Sequence, residues 1–209
     1  MTDRTSGYMA DIGYTFSYYP ELNPQQVELA FLNAGLVAPE FSTVCELGFG
    51  QVLSANLHVA AFLRCWHGTD FTQSQAGFAQ ELATVSGDNA HLYDEAYDEI
   101  AKRVMPEFDY IGLHDIWSWI SDENRAVIVE FIRKKLKVGG VPYISYNTLP
   151  GWRTFAPMRH IITEHVEVIG ADGVGIVSRI IGALNFTEKL LTTNPLYVRA
   201  NQHKITKKR

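Results

Sequence analysis

The sequence predicts an α/β fold built on a doubly wound, mostly parallel sheet. Two observations predict it. Short apolar runs of strand character alternate with helical patterns five times between residues 42 and 147, which is the mark of βαβ units with helices on both faces of the sheet. The composition, 46% hydrophobic and 20% charged over 209 residues, is that of an ordinary globular domain, with room for one appendage.

The elements follow in order. Asn23-Pro24 reads as a helix start, with Asn as N-cap and Pro at the first helical position. Val27, Ala30, Phe31 and Ala34 fall on one face of that helix, and Gly35 stops it. Residues 42–47 (STVCEL) read as a buried strand and 51–63 as a helix. Residues 65–70 (CWHGTD) form the second strand. Thr72 and Gln75 have the spacing of a capping box for a helix running to about Ser86, closed by Gly87. Residues 90–93 are a third strand, 94–104 (DEAYDEIAKRV) a short helix and 108–114 a fourth strand. Ser121 caps the next helix. Its acidic start at Asp122 and Glu123 and basic end at Lys134, Lys135 and Lys137 both suit the helix dipole, and Gly139-Gly140 closes it. Residues 141–147 are a fifth strand, with Pro142 fitting a strand start or an edge position. Two helical stretches, 153–170 and 175–193, come after it.

Several function classes are set aside. The net charge of −5 gives no general attraction to nucleic acid. No apolar run reaches membrane-spanning length, and the polar start MTDRTS lacks a signal-peptide layout. Cys45 and Cys65 sit in apolar runs as small buried hydrophobes, which points to a reducing compartment. His160 and His165 are five residues apart, on different helix faces, so they do not form a zincin pair, and no metal site is expected. The basic end HKITKKR reads as a solvated tail.

The chemistry gathers at VCELGFGQ (44–51). Gly48 and Gly50 stand at a strand-to-helix turn, where backbone can approach a ligand closely. A dinucleotide site would carry a third glycine where this chain has Leu53. Glu46, two residues before Gly48, would repel a diphosphate but attract the ammonium of an amino acid. Asp70, ending the second strand, can accept hydrogen bonds from ribose hydroxyls. The turn therefore suits a nucleoside joined to a zwitterion.

The ordered set VCELGFGQ, GTDF, HLYDEAY, FDYIGLHDIWSWI, LKVGG and YISYNTLPGW resembles the class I S-adenosylmethionine-dependent methyltransferases. More narrowly, it is similar to the bacterial group that carries a methyltransferase regulatory domain downstream. The resemblance spans about residues 8–200. It implies a Rossmann-like sheet of strand order 3-2-1-4-5, with S-adenosyl-L-methionine as cofactor. By the same resemblance the cofactor residues are Tyr14, Glu46, Gly48, Phe49, Gly50, Gln51, Asp70, Phe71, Asp94, Glu95 and His114. Glu46 and the glycines line the methionine part, Asp70 holds the ribose, Phe71 packs on adenine, and Asp94 and Glu95 read its amino group. His114 lies beneath the sulfonium. Val52 stands where the family has a third glycine and crowds the helix start.

Methyl transfer is an in-line displacement that needs position and desolvation rather than a protein nucleophile. His114, Asp115 and Tyr146 are the candidates for a general base. Trp117, Trp119, Tyr146, Trp152, Tyr14, Tyr18 and Tyr19 form an aromatic rim suited to a sulfonium or a cationic amine. The organisation that follows is a lid and helical segment over 1–40, a cofactor-binding domain over 41–150, a helical extension over 151–200 and a basic tail over 201–209. The family's last two strands are not found, so the chain reads as truncated, with strand 141–147 left as an edge for the terminal helices or a second copy of the chain to cover. The expected activity is methylation of a protein lysine or a small molecule in a bacterial cytoplasm, with no membrane or nucleic-acid partner. The alternative is a catalytically impaired, cofactor-binding fragment that acts through a partner or a homodimer.

Overall fold

The structure, a computed structural model, describes residues 17–50, 53–62, 64–87, 89–170, 173–193 and 195–205. The chain divides into two units, Met1–Tyr146 and Asn147–Arg209.

The first unit carries one five-stranded sheet. Its strands are β1 (Thr43–Leu47), β2 (Cys65–Asp70), β3 (Ala90–Asp94), β4 (Phe108–Leu113) and β5 (Leu136–Ile144), in the order β3-β2-β1-β4-β5 with every pairing parallel. Its helices are α1 (Pro24–Asn33), α2 (Leu53–Phe62), α3 (Gln73–Ser86), α4 (Tyr97–Ile100) and α5 (Asp122–Lys135). Successive strand residues point to opposite faces, and the central strands are buried on both. Val44, Trp66 and Tyr110 pack with Ala55 and Val59 of α2 and Ala76, Ala79 and Ala83 of α3. Cys45, Leu47, Ile111 and Leu113 pack instead with Tyr97 and Ile100 of α4 and Ile128 and Phe131 of α5. The reversal of strand order beside β1 opens a crevice at the carboxyl ends of β1 and β4, so the turn after β1 sits where such sheets take ligands.

Most expected boundaries hold for local reasons. Asn23 Oδ1 accepts from Gln25 N at 3.0 Å ahead of Pro24, and Ser121 Oγ accepts from Asn124 N at 3.3 Å. Gly35 and Gly87 adopt the left-handed conformation that ends their helices. Four details differ. α5 stops at Lys135 and β5 starts at Leu136, so Gly139-Gly140 does not close a helix; it forms an irregularity inside β5, with Gly139 at φ 85°. Thr72 does not cap α3, because its backbone N–H and side chain both turn to Asp70. The helix expected over 94–104 shrinks to α4, since Asp94 still belongs to β3. Finally, Ala30 of α1 and its C-cap Ala34 lie exposed, whereas Val27 packs against the core.

The second unit is helical: α6 (Leu149–Trp152), α7 (Ala156–Glu164), a π-helical turn (His165–Ile169), α8 (Ile176–Thr193) and α9 (Pro195–Ile205). Pro157 lies in the first turn of α7, where its missing N–H costs no hydrogen bond; the helix expected over 153–170 therefore starts at Ala156 and runs on into the π-helical turn. Part of the expected basic tail is helical, since α9 runs to Ile205. Among the described residues the sheet ends with β5, and no helix is long and apolar enough to cross a membrane.

Candidate functional site

The bend after β1 is held by its neighbour strand. Gly48 N donates to Thr69 O at 2.8 Å, and Gly50 N donates to Asp70 Oδ2 at 2.9 Å. Gly48 has φ 75° and Gly50 φ 58°, a region that costs other residues about 1–2 kcal/mol. At Gly48 a Cβ would also sit 2.8 Å from Ile116 Cδ1 and 2.9 Å from the Tyr97 hydroxyl. Sequence reasoning passes over Ile116 and Tyr97 as crowding partners, because only the folded chain brings them over the bend.

Glu46 is 2% exposed, and its Oε2 has no hydrogen-bond partner among the described residues. Its register neighbours on both sides are glycines, Gly68 on β2 and Gly112 on β4. Burial pushes its carboxyl up to about 8; the nearby Trp66 indole, outside hydrogen-bond geometry, opposes the rise and the Asp70 charge adds to it. With a value near 8 the buried carboxyl is mostly protonated at neutral pH, and its unpartnered oxygen can accept from a cationic donor. The donor set at the bend therefore fits the ammonium end of an amino acid.

Asp70 ends β2 at 6% exposure, its Oδ2 on Gly50 N and its Oδ1 on Thr72 N at 2.8 Å. Each oxygen keeps acceptor capacity for a hydroxyl. Burial raises its carboxyl, the backbone donors of Thr72 and Gly50 resist, and Asp94, its register partner on β3, adds to the rise. Phe71 follows Asp70, half-buried. Phe49 is 5% exposed and packs into the core over Gly68, so only its backbone faces the bend. The Glu95 carboxylate is engaged by Arg103, with Nε at 3.0 Å from Oε1, and its carbonyl accepts from Thr69 Oγ1.

At the end of β4, His114 Nδ1 lies 3.2 Å from Ser145 Oγ, and Ser145 Oγ accepts from Asp115 N at 2.7 Å. The His114 ring stacks with Tyr143 at 6.4 Å and meets Tyr19 at 4.8 Å. Asp115 has φ 55° and accepts from Trp119 Nε1. Tyr146 is 58% exposed at the margin of the unit. Tyr18 and Tyr19 bring the N-terminal segment over the strand ends: Tyr19 N donates to Ser54 Oγ at 2.6 Å, and the Tyr18 hydroxyl lies 3.2 Å from His58 Nε2. Leu22 seals the segment, buried over Gly112. Ser145 is a site residue that sequence reasoning misses; its position at the end of the fifth strand is the one available signal. Tyr14, Gln51 and Val52 lie outside the described residues. Trp152 belongs to the second unit. That unit carries a pocket of about 460 Å³ whose lining holds no Asp, Glu, Lys, Arg or His.

The fold is shared with solved structures. PKMT2 from Rickettsia typhi, solved in complex with AdoHcy, superimposes over 89% of this chain with a TM-score of 0.69 at 22% identity. The chain has the class I methyltransferase fold. A second PKMT2 structure shares this methyltransferase fold over 95% of the chain, with a TM-score of 0.68 at 24% identity. An uncharacterized protein of Synechocystis sp. is 38% identical over 200 residues, 93% of this chain. The methyltransferase-fold chain spans 39% of that relative's length, and 36% and 38% of the two PKMT2 chains. No protein-family model matches it.

Proposed function

We propose that the chain binds S-adenosylmethionine at the bend after β1 and forms the catalytic core of a methyltransferase acting on a protein lysine or a small-molecule amine. The observation that carries this reading is Glu46: a buried carboxyl with an unpartnered oxygen, two residues before a left-handed glycine where an added side chain would crowd Ile116 and Tyr97. The AdoHcy in PKMT2, which is S-adenosylmethionine without its methyl group, supports the same choice of ligand.

The bound cofactor would supply an electrophilic methyl carbon. The residues of the chain do the rest. Glu46 takes the ammonium and in doing so loses its proton. Gly48 and Gly50 let the backbone close on the amino-acid end. Asp70, pre-oriented by two backbone donors, accepts from the ribose, with Asp94 beside it. Phe71 gives adenine an apolar face. The Glu95 side chain, tied to Arg103, acts on that pocket through its backbone. Tyr14 and Gln51 complete the cofactor set in this reading. The segment bearing Tyr18 and Tyr19 keeps water from the strand ends.

An amine acceptor must lose a proton to attack. His114 suits the role of proton acceptor in the tautomer whose Nδ1–H donates to Ser145 Oγ, which leaves Nε2 to take the proton. Asp115 and Tyr146 are the alternatives at the same rim.

The test is transfer of a labelled methyl group to a cell lysate separated into protein and small-molecule pools. Methyl-lysine recovered after hydrolysis of the protein pool assigns a protein acceptor; label confined to the other pool assigns a small molecule. No label above that given by Gly48→Ala would overturn the catalytic reading.

A further inference from the structure

A second cluster lies at the other end of β2. Cys65 and His67 are two residues apart on that strand and therefore share a face. His91 of β3 sits opposite His67 in register. One donor atom from each lies within 4.8 Å of the others. We propose that Cys65, His67 and His91 bind one zinc-class divalent cation, with water at a fourth position, and that the ion clips the edge strand β3 to β2.

The donor chemistry selects the ion: a thiolate with two imidazoles is the set that zinc prefers, and calcium or magnesium does not. The spacing agrees. Tetrahedral zinc with bonds of about 2.3 Å to sulfur and about 2.0 Å to nitrogen holds the two donors about 3.5 Å apart. Here Cys65 Sγ lies 3.4 Å from His67 Nε2.

The outer partners agree as well. The Tyr93 hydroxyl lies 3.4 Å from His67 Nδ1, the nitrogen not facing the sulfur, where it fixes ring and tautomer as partners of ligating imidazoles do. Phe108 packs edge-on against the His67 ring at 5.4 Å, which stiffens it further. His91 is exposed and Cys65 half-buried, so an ion can enter from solvent. The His91 ring, stacked on His67 at 4.7 Å, completes the set by turning about its own side-chain torsions.

This site is distinct from the bend. Asp70, which holds the bend, lies three residues beyond His67 on β2, about 10 Å away at roughly 3.3 Å per residue, and on the opposite face. The competing explanation is that Cys65 and His67 merely share an S–H···N hydrogen bond.

The experiment is a titration of the whole, tag-free chain with cobalt(II), followed by zinc. The proposal expects one cobalt per chain, a thiolate-to-cobalt charge-transfer band and its loss on adding zinc. The band should disappear in Cys65→Ser, and affinity should fall at least tenfold in His91→Asn. Zinc should raise the thermal midpoint of the parent chain but not that of His91→Asn. Since His91 is exposed, that variant keeps the buried packing and decides the question if Cys65→Ser fails to fold. Absence of the band in the parent, or an unchanged cobalt affinity in His91→Asn, would overturn the metal site in favour of the hydrogen bond.

Discussion

Glu46 holds a carboxyl in a place where its ordinary charge is costly. Its folded value near 8 lies above its ordinary 4.5, so the folded state keeps a proton that the unfolded chain releases. The stability tied to that proton is fully present below about pH 4.5 and is lost as pH rises toward 8. Two buried imidazoles act the other way. Burial holds His58 and His67 down at about 4, with Arg64 adding at His58 and His91 at His67, so they withdraw stability as pH falls below 6.5. A difference measurement separates the effects. Urea denaturation of the parent minus that of Glu46→Gln should give a curve that falls between pH 5 and 8; a flat curve would show that the carboxyl ionises freely. At the neighbouring position, Gly48→Ala should lower stability by about 1–2 kcal/mol from backbone strain alone, and cofactor binding should go with it, read by thermal melting with and without ligand. The place of Glu46, Gly48, Gly50 and Asp70 around one strand-to-helix bend was legible in the sequence because each lies at or beside a strand end. The tie between Glu95 and Arg103, the inward turn of Phe49 and the place of Ser145 were not, because they depend on which way side chains face once strands are paired.

At the scale of elements, the sheet is tied together at its rim by Asp109. Its Oδ2 accepts from Ser42 N, Ser42 Oγ and Thr43 N, and its Oδ1 from Lys137 Nζ at 2.8 Å, so one carboxylate links β1, β4 and β5. Burial disfavours its charge, yet Lys137 and these donors hold the carboxyl below its ordinary value. Asp109→Ala should therefore cost about 1–3 kcal/mol near neutral pH. The loss should shrink in acid, as the parent's carboxylate is protonated on passing below its depressed value. Equal stability of parent and variant would show that the start of β1 is fixed by strand pairing alone. Strand and helix types were readable from apolar runs and caps. The boundary between α5 and β5 was not: Gly139-Gly140 has the look of a helix stop, but Leu136 already pairs with Phe108, and the glycines serve a bulge. The failed capping box has a similar cause, since Asp70 competes successfully for the Thr72 donors.

For the whole molecule, the order β3-β2-β1-β4-β5 places Glu46, Asp70 and His114 at the ends of three strands that meet at one crevice, although 68 residues of sequence separate the first from the last. Parallel pairing with helical crossovers forces that convergence, which is why the fold and the position of the bend could be read in advance. The Cys65, His67 and His91 cluster went unread because its third member joins the others only through the β2–β3 register. Calorimetric titration of the chain with S-adenosylmethionine at pH 7, in two buffers of different ionisation enthalpy and with Glu46→Gln alongside, tests the central claim most directly. The account predicts one ligand per chain, proton release on binding as Glu46 ionises, and affinity at least tenfold weaker in Glu46→Gln. No binding at millimolar ligand, or equal affinity in Glu46→Gln, would contradict it.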